Sequence, residues 1–448
     1  MATQGSATAA GILEHRPITE RLHIRPGTVA LALVGGAWLA GLALVLSHSV
    51  FVTNDSLSNY AHVWYASEQI WNAHSFPFHM PVLEHGEAYA FPYAFLPWVT
   101  AALLRPLFGD WVVTLWLVVG FAGVVGTTWW AFPELRGAWW TALLLANPML
   151  VEAVLLGQLP FLWATALLFA AIAAWRRGWW LPSAVLLGAA QATHPAVILP
   201  IAGVLVLARL CWEPRRARLL AAYAVSLVIA APAAWLVLSS PVVGDSSRVA
   251  LAGNFFGTVS LRALVVAAPF IALVLQRSPG TRMPAALLVA LVALNVALVP
   301  VRHDQYAWTA LTRSPNTSLA SYTDSAAFAP GATYRLLRVG DGKFGMYQVL
   351  RAGGSLDAEF FPESIGRQSW NDTSAYAAFL RERSVDYVII YDAYDTRYRT
   401  NEHALLTKMA SDPTSGARDG GTCVSVAQHH RQYDVYRIDR CVSVRAPS

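Results

Sequence analysis

The chain has 448 residues, 56% of them apolar and only 13% charged, with a formal net charge of +5. That positive balance needs no nucleic-acid partner, because much of it is Arg in short loops between apolar stretches, where it sets membrane orientation. Apolar runs fill residues 28–300, whereas 301–448 has the composition of a soluble domain. The class is therefore a polytopic α-helical membrane bundle followed by a small extracytoplasmic domain of about 145 residues.

In chain order, residues 1–27 form a polar cytoplasmic tail carrying Arg16, Arg21 and Arg25 without a small-residue cleavage pattern, so 28–50 reads as a retained anchor. A large first outer loop, 51–110, follows and opens with Thr53-Asn54-Asp55-Ser56. A carboxylate just beyond a span lies at the membrane–water boundary, where partial desolvation tunes its basicity. Residues 56–74 show a helical stripe of Leu57, Tyr60, Trp64 and Trp71, which predicts an amphipathic helix on the membrane surface with Asn59, His62, Ser67 and Glu68 facing water or a cleft. The remainder of the loop, with His74, His79, Glu84, His85 and Glu87 among prolines and aromatics, reads as ordered and packed. Residues 93–107 hold too short an apolar run for a span and are broken by Arg105-Pro106, so an interfacial or re-entrant helix is expected there.

About nine spans are predicted, near 28–50, 111–131, 138–156, 160–175, 179–193, 195–210, 218–239, 259–276 and 283–300. With the N-terminus inside, the inner loops hold Arg136, Arg176, Arg177, Arg209, Arg215, Arg216, Arg218, Arg277 and Arg282; the outer ones hold only Arg105, Arg248 and Arg262. An odd count sends 301–448 outside the cytoplasmic membrane. A disulfide between Cys423 and Cys441 would suit that oxidising side.

Polar groups recur at the outer turns: Gln158 after Glu152, His194 after Gln191, and Arg248 within a loop that also carries Asp245 and Asn254. Arg105, Arg248 and Arg262 lie where a lipid phosphate would sit, and Arg suits phosphate recognition; headgroup snorkelling is the plainer alternative. The loop histidines His62, His74, His79 and His85 match no compact ligand spacing, so no metal site is expected. No phosphate-cradling Gly-rich loop, nucleophile elbow or paired-Cys motif is present, which argues against soluble nucleotide chemistry. Nor are there the broken-helix pairs of a secondary transporter.

In the C-terminal part, 334–350 alternates like a strand with a turn at Gly340-Asp341-Gly342. A helix is expected over 374–383, a buried strand over 385–391, a helix over 402–410, and a hairpin from 424–428 and 433–438 with the two cysteines at its open end. A bridge there would contribute about 3 kcal/mol.

The arrangement resembles the GT-C superfamily of integral membrane glycosyltransferases. The resemblance rests on the first span followed by Asp55, the 60–71 interfacial helix, Phe91-Pro92-Tyr93…Pro97 running to Leu107-Phe108-Gly109, Asn147-Pro148…Gly157-Gln158, and Gly188…His194. It covers roughly 28–300, and the tail looks like those appended to bacterial and actinobacterial members. The resemblance implies a sugar leaving from a polyprenyl-phosphate donor in the membrane lipid to a glycan or glycolipid acceptor of the cell envelope, with Asp55 as general base. His62, Glu68, His85, Arg105, Gln158, His194, Arg248 and Arg262 are the substrate-binding candidates. Asn54 beside Asp55, and Gln158 where an acid stands in other members, leave a divalent metal possible but unsupported, and no cofactor is required. The local sequence gives Asp55 a competing role as the N-cap of the 56–74 helix. A membrane scaffold or sensor whose external domain binds glycan or protein is the alternative function.

Overall fold

The computed structural model describes residues 25–47, 56–76, 95–239, 262–276, 282–299, 329–337, 344–357, 369–411, 421–429 and 433–440. Asp55, His79, Glu84, His85, Glu87, Arg248 and Cys441 lie outside these residues.

All nine stretches expected to span are helical: α1 (Pro26–Ser47), α4 (Trp111–Ala131), α5 (Ala138–Leu145) with α6 (Pro148–Leu155), α7 (Leu159–Arg176), α8 (Trp180–Thr193), α9 (Pro195–Leu210), α10 (Arg216–Ser239), α11 (Arg262–Leu275) and α12 (Arg282–Ala297). Between α1 and α4 lie α2 (Ser56–Trp71) and α3 (Phe95–Phe108). Four of the helices are long and apolar enough to cross a membrane, or five if the α5–α6 pair counts as one. At ~1.5 Å per residue, helices of fourteen to sixteen residues fall short of a ~30 Å hydrocarbon core. The chain is a multi-pass membrane protein.

The stretch expected as one span over 138–156 is bent by 47°. Pro148 forces Asn147 into an extended conformation, ψ 116°, and the Asn147 side chain then caps α6 by accepting from Met149 N at 3.0 Å. Close approach organises the centre of the bundle. On α4, a Cβ at Gly120 would come within 2.8 Å of the Trp163 ring, and at Gly188 on α8 within 2.7 Å of Ile229, so small residues let these helices meet. Apolar side chains such as Leu33, Leu39, Val228 and Val289 remain exposed on the outside of the bundle and form a surface for lipid.

The Arg-bearing turns gather at one end of the bundle. There Arg176 donates to Ala131 O at 2.6 Å and pairs with Glu134, Arg177 stacks 4.6 Å over Trp130, and Gln276 reaches Glu134 O at 3.0 Å. The Gly157-Gln158 turn starts α7 and so lies eighteen residues, about 27 Å, away at the other end.

α2 departs from the expected surface helix. Tyr60, Ala61, Val63 and Ala66 are buried, but so are Asn59, His62 and Ser67, while Trp71 is half exposed. The helix packs against α3 and α4 and beneath the C-terminal domain, so its polar residues face protein and its water-facing side is largely lost.

The C-terminal domain is a five-stranded mixed sheet in the order β2-β1-β3-β5-β4, formed by β1 (Thr333–Leu337), β2 (Ser355–Leu356), β3 (Tyr387–Tyr391), β4 (Thr422–His429) and β5 (Tyr433–Arg440). The helices are α13 (Phe344–Arg351), α14 (Thr373–Glu382), α15 (Tyr394–Tyr398) and α16 (Glu402–Ser411). The expected second strand within 334–350 is α13. Since β1 and β2 run parallel, their connection must be a crossover, which a helix provides and a tight turn does not. The expected hairpin is β4–β5, with a bulge between Val426 and Gln428; its register sets Cys423 opposite Asp439. The pairing with Cys441 falls outside the described residues. Beneath the sheet, Arg335 is enclosed by carboxylates. It makes a bidentate pair with Glu402 at 2.9 and 3.0 Å and lies 3.6 Å from Asp357. Tyr376 donates to the same Glu402 at 2.8 Å.

The domain is bolted to the bundle by α13. The Tyr347 ring lies 6.4 Å from both Tyr60 and Trp64 of α2, and its hydroxyl donates to Asp110. It therefore sits at the end of the bundle that carries Gly157.

Candidate functional site

At that end a turn, two helix starts and the α2 helix bring polar groups together. Gly157 takes a left-handed φ of 71°, which turns its carbonyl toward α2, where it accepts from Asn59 Nδ2 at 2.9 Å. The Asn59 carbonyl oxygen accepts in turn from Trp98 Nε1 at 2.8 Å, and His62 stacks on the Trp98 ring at 3.8 Å. Both ends of the Asn59 amide are thus used, and they fix α2 and α3 against the α6–α7 turn.

Beside this turn sits Arg262, the first residue of α11. Its Nε donates to Gln158 Oε1 at 3.3 Å, one amino group lies 3.5 Å from His194 Nε2, and the guanidinium stands 5.6 Å over the Phe161 ring. His194, the residue between α8 and α9, is buried. Burial, reinforced by the Arg262 cation, pushes its imidazole well below the ordinary histidine value, so it is neutral at neutral pH. Among the described residues no carboxylate pairs with Arg262: its partners are an amide, a neutral imidazole and an aromatic face. One turn before His194, Gln191 is fully buried with neither amide atom hydrogen-bonded among the described residues, and the Thr165 hydroxyl is in the same position. Buried polar atoms left this way each cost about 1–3 kcal/mol, a cost that a polar ligand group can offset.

The sequence candidates therefore divide. Gln158, His194 and Arg262 form one constellation, with His62 held nearby on the far side of the Gly157–Asn59 bond. Arg105 and Glu68 belong elsewhere: Arg105 bonds Glu68 at 3.2 Å and Asp110 at 3.0 Å, and Asp110 accepts from Tyr347. That guanidinium ties α3 to α2 and, through Asp110 and Tyr347, to the C-terminal domain. Asp55 immediately precedes the first residue of α2, and Asn59 follows one turn later. Sequence reasoning missed Trp98, Asp110 and Tyr347. Nothing local marks them, because each acts on a partner from a distant segment.

The arrangement offers a cation with neutral partners and unpaired polar atoms at the rim of an apolar bundle, which is a setting for an anionic head on an apolar tail. The described residues bring no metal-ligand set together here.

No protein-family model matches the chain, and no curated protein matches it. Solved structures similar to it include ArnT from Cupriavidus metallidurans in the apo state, at 14% identity over 92% of this chain and 98% of that one, with a TM-score of 0.47. The same protein bound to undecaprenyl phosphate is similar at 13% identity over 94% and 99% of the two chains, with a TM-score of 0.45.

Proposed function

We propose that this protein is a GT-C-type glycosyltransferase that moves a sugar from a polyprenyl-phosphate donor to a glycan or glycolipid of the cell envelope. The observation that carries the proposal is Arg262, a cation at the bundle end whose described partners are all neutral. A phosphate is the anion that such a guanidinium suits, by charge and by its fork of donors. In this reading the lipid tail lies along the exposed apolar helices, and Arg262, supported by Gln158 and His194, meets the phosphate. Asp55 takes the proton of the acceptor hydroxyl. The hydroxyl oxygen attacks the anomeric carbon, the bond from that carbon to the phosphate oxygen breaks, and polyprenyl phosphate leaves with the anomeric centre inverted. Because that leaving group is good, the site needs a base and a cation more than it needs a metal.

The proposal places the site, α2 and the 301–448 domain outside the cytoplasmic membrane, with the Arg-rich turns inside. His85 and Arg248 are kept as acceptor or donor contacts, and 301–448 is taken as the acceptor- or partner-binding part. Transfer from a labelled polyprenyl-phosphate sugar in membranes tests it: Asp55→Asn should abolish transfer with the protein still folded and inserted. Normal transfer by that variant would remove Asp55 from the mechanism. Wild-type membranes that transfer no polyprenyl-linked sugar, combined with a phenotype confined to changes in 301–448, would favour the scaffold.

A further inference from the structure

We propose that the external domain carries a zinc site formed by Asp392, His403, Asp434 and His429. The four residues come from β4, β5, the first turn of α16 and the turn after β3, which meet at the carboxyl end of β3. Asp434 on β5 pairs with Ile390 of β3 and with His429 of β4. Asp392 directly follows Tyr391, the last residue of β3, and its carboxylate comes to the same place, while His403 enters from the first turn of α16.

The donor atoms are already close. His403 Nε2 is 3.1 Å from one Asp434 oxygen, His429 Nδ1 hydrogen-bonds the other, and donor atoms of Asp392, His403 and Asp434 all lie within 4.8 Å of one another. Tetrahedral zinc, with bonds of ~2.0–2.1 Å, holds its ligand atoms ~3.4 Å apart. Asp392 is exposed and His429 is 80% exposed, so both side chains lie at the surface where they can turn toward an ion held by His403 and Asp434.

Charge points the same way. Two carboxylates converge here, and among the described residues no Lys or Arg pairs with either of them. Elsewhere in the domain the buried carboxylates Glu402 and Asp357 do have a cation, Arg335. The backbone at His403 is also held in place: Asp395 accepts from the N–H groups of His403 and Ala404 at 2.9 and 3.2 Å. Two imidazoles with two carboxylates suit zinc rather than calcium or magnesium, which take oxygen donors. The ion would clamp β3, the β4–β5 hairpin and α16 at one point. This inference does not depend on the glycosyltransferase reading.

The test uses untagged full-length protein in detergent. The protein is stripped with chelator, re-equilibrated with zinc chloride, freed of excess ion, and its metal content measured by mass spectrometry. One zinc per chain is expected, with loss of at least tenfold in affinity for Asp434→Asn, His403→Gln and Asp392→Asn and none for the exposed His74→Ala. Cobalt substitution should give the visible bands of a four-coordinate ion in wild type and not in these variants. If Asp434→Asn fails to fold, Asp392→Asn, at an exposed position, decides the matter. Wild type without retained zinc, or Asp392→Asn and His403→Gln binding as wild type does, would overturn the proposal.

Discussion

Two arginines, one in the C-terminal domain and one in the helical bundle, show how one side chain serves two ends. Arg335 in the C-terminal domain is 4% exposed and meets Glu402 and Asp357, with Phe379 4.7 Å beneath its guanidinium. Burial works against its charge, but the Glu402 carboxylate holds it above the ordinary arginine value. Among the described residues Arg262, at the bundle end, meets Gln158, His194 and Phe161 and no carboxylate. The first cation is neutralised inside the fold, whereas the second has only neutral partners among the described residues, and in the proposed function it meets the donor phosphate.

The comparison can be broken most forcefully at Arg335. Removing one partner of a buried ion network strands the others, so Arg335→Ala or Glu402→Ala should destabilise the C-terminal domain by about 3–5 kcal/mol, read as a lower unfolding midpoint and faster proteolysis of full-length protein. Arg262→Ala should leave that midpoint near wild type and instead reduce transfer by about 10²-fold, the scale of losing one donor to transition-state charge. If the two phenotypes came out exchanged, the distinction would collapse. Arg262→Lys, which keeps the charge but loses the fork, should recover part of the activity.

A smaller effect is expected at the joint between the two regions. Tyr347→Phe removes the hydroxyl that bonds Asp110 and should cost about 1–2 kcal/mol, seen as earlier release of the C-terminal domain on heating while Arg335 variants of the same protein act additively. The smallest effect concerns pH. His194 has a folded pKa well below its unfolded value of ~6.5, so the unfolded chain takes up the proton first as pH falls. Stability should therefore be fully present above about pH 7 and decline as pH falls through ~6.5. His194→Gln should flatten that slope, and an unchanged slope would mean the imidazole is not buried as described.

Much of the bundle was legible because a bilayer imposes a crude rule: apolar runs become helices, and Arg marks the turns at one end. Arg262, Gln158 and His194 were recognisable by their place at the ends of such runs. What sequence could not give was their company. Whether Arg262 has a carboxylate partner, and whether Arg105 does, depends on residues far apart in the chain, and the two came out differently: Arg105 is taken by Glu68 and Asp110. The burial of α2 on both faces was hidden for the same reason, since Tyr347 reaches Asp110 across 237 residues. The 344–351 segment read as a strand because a few alternating residues fit either period; parallel pairing of β1 with β2 decides for helix. The break at Asn147-Pro148 was legible in principle, as proline restrains the residue before it, but the continuous apolar run masked it. Asp55, legible as an acid beside a span, lies outside the described residues.

The most direct test of the claim about Arg262 is binding of undecaprenyl phosphate to the purified full-length protein, compared among wild type, Arg262→Gln and the surface control Arg437→Gln. Wild type and Arg437→Gln should bind alike, and Arg262→Gln at least tenfold more weakly with its unfolding midpoint unchanged. Equal affinity of Arg262→Gln and wild type would contradict the account.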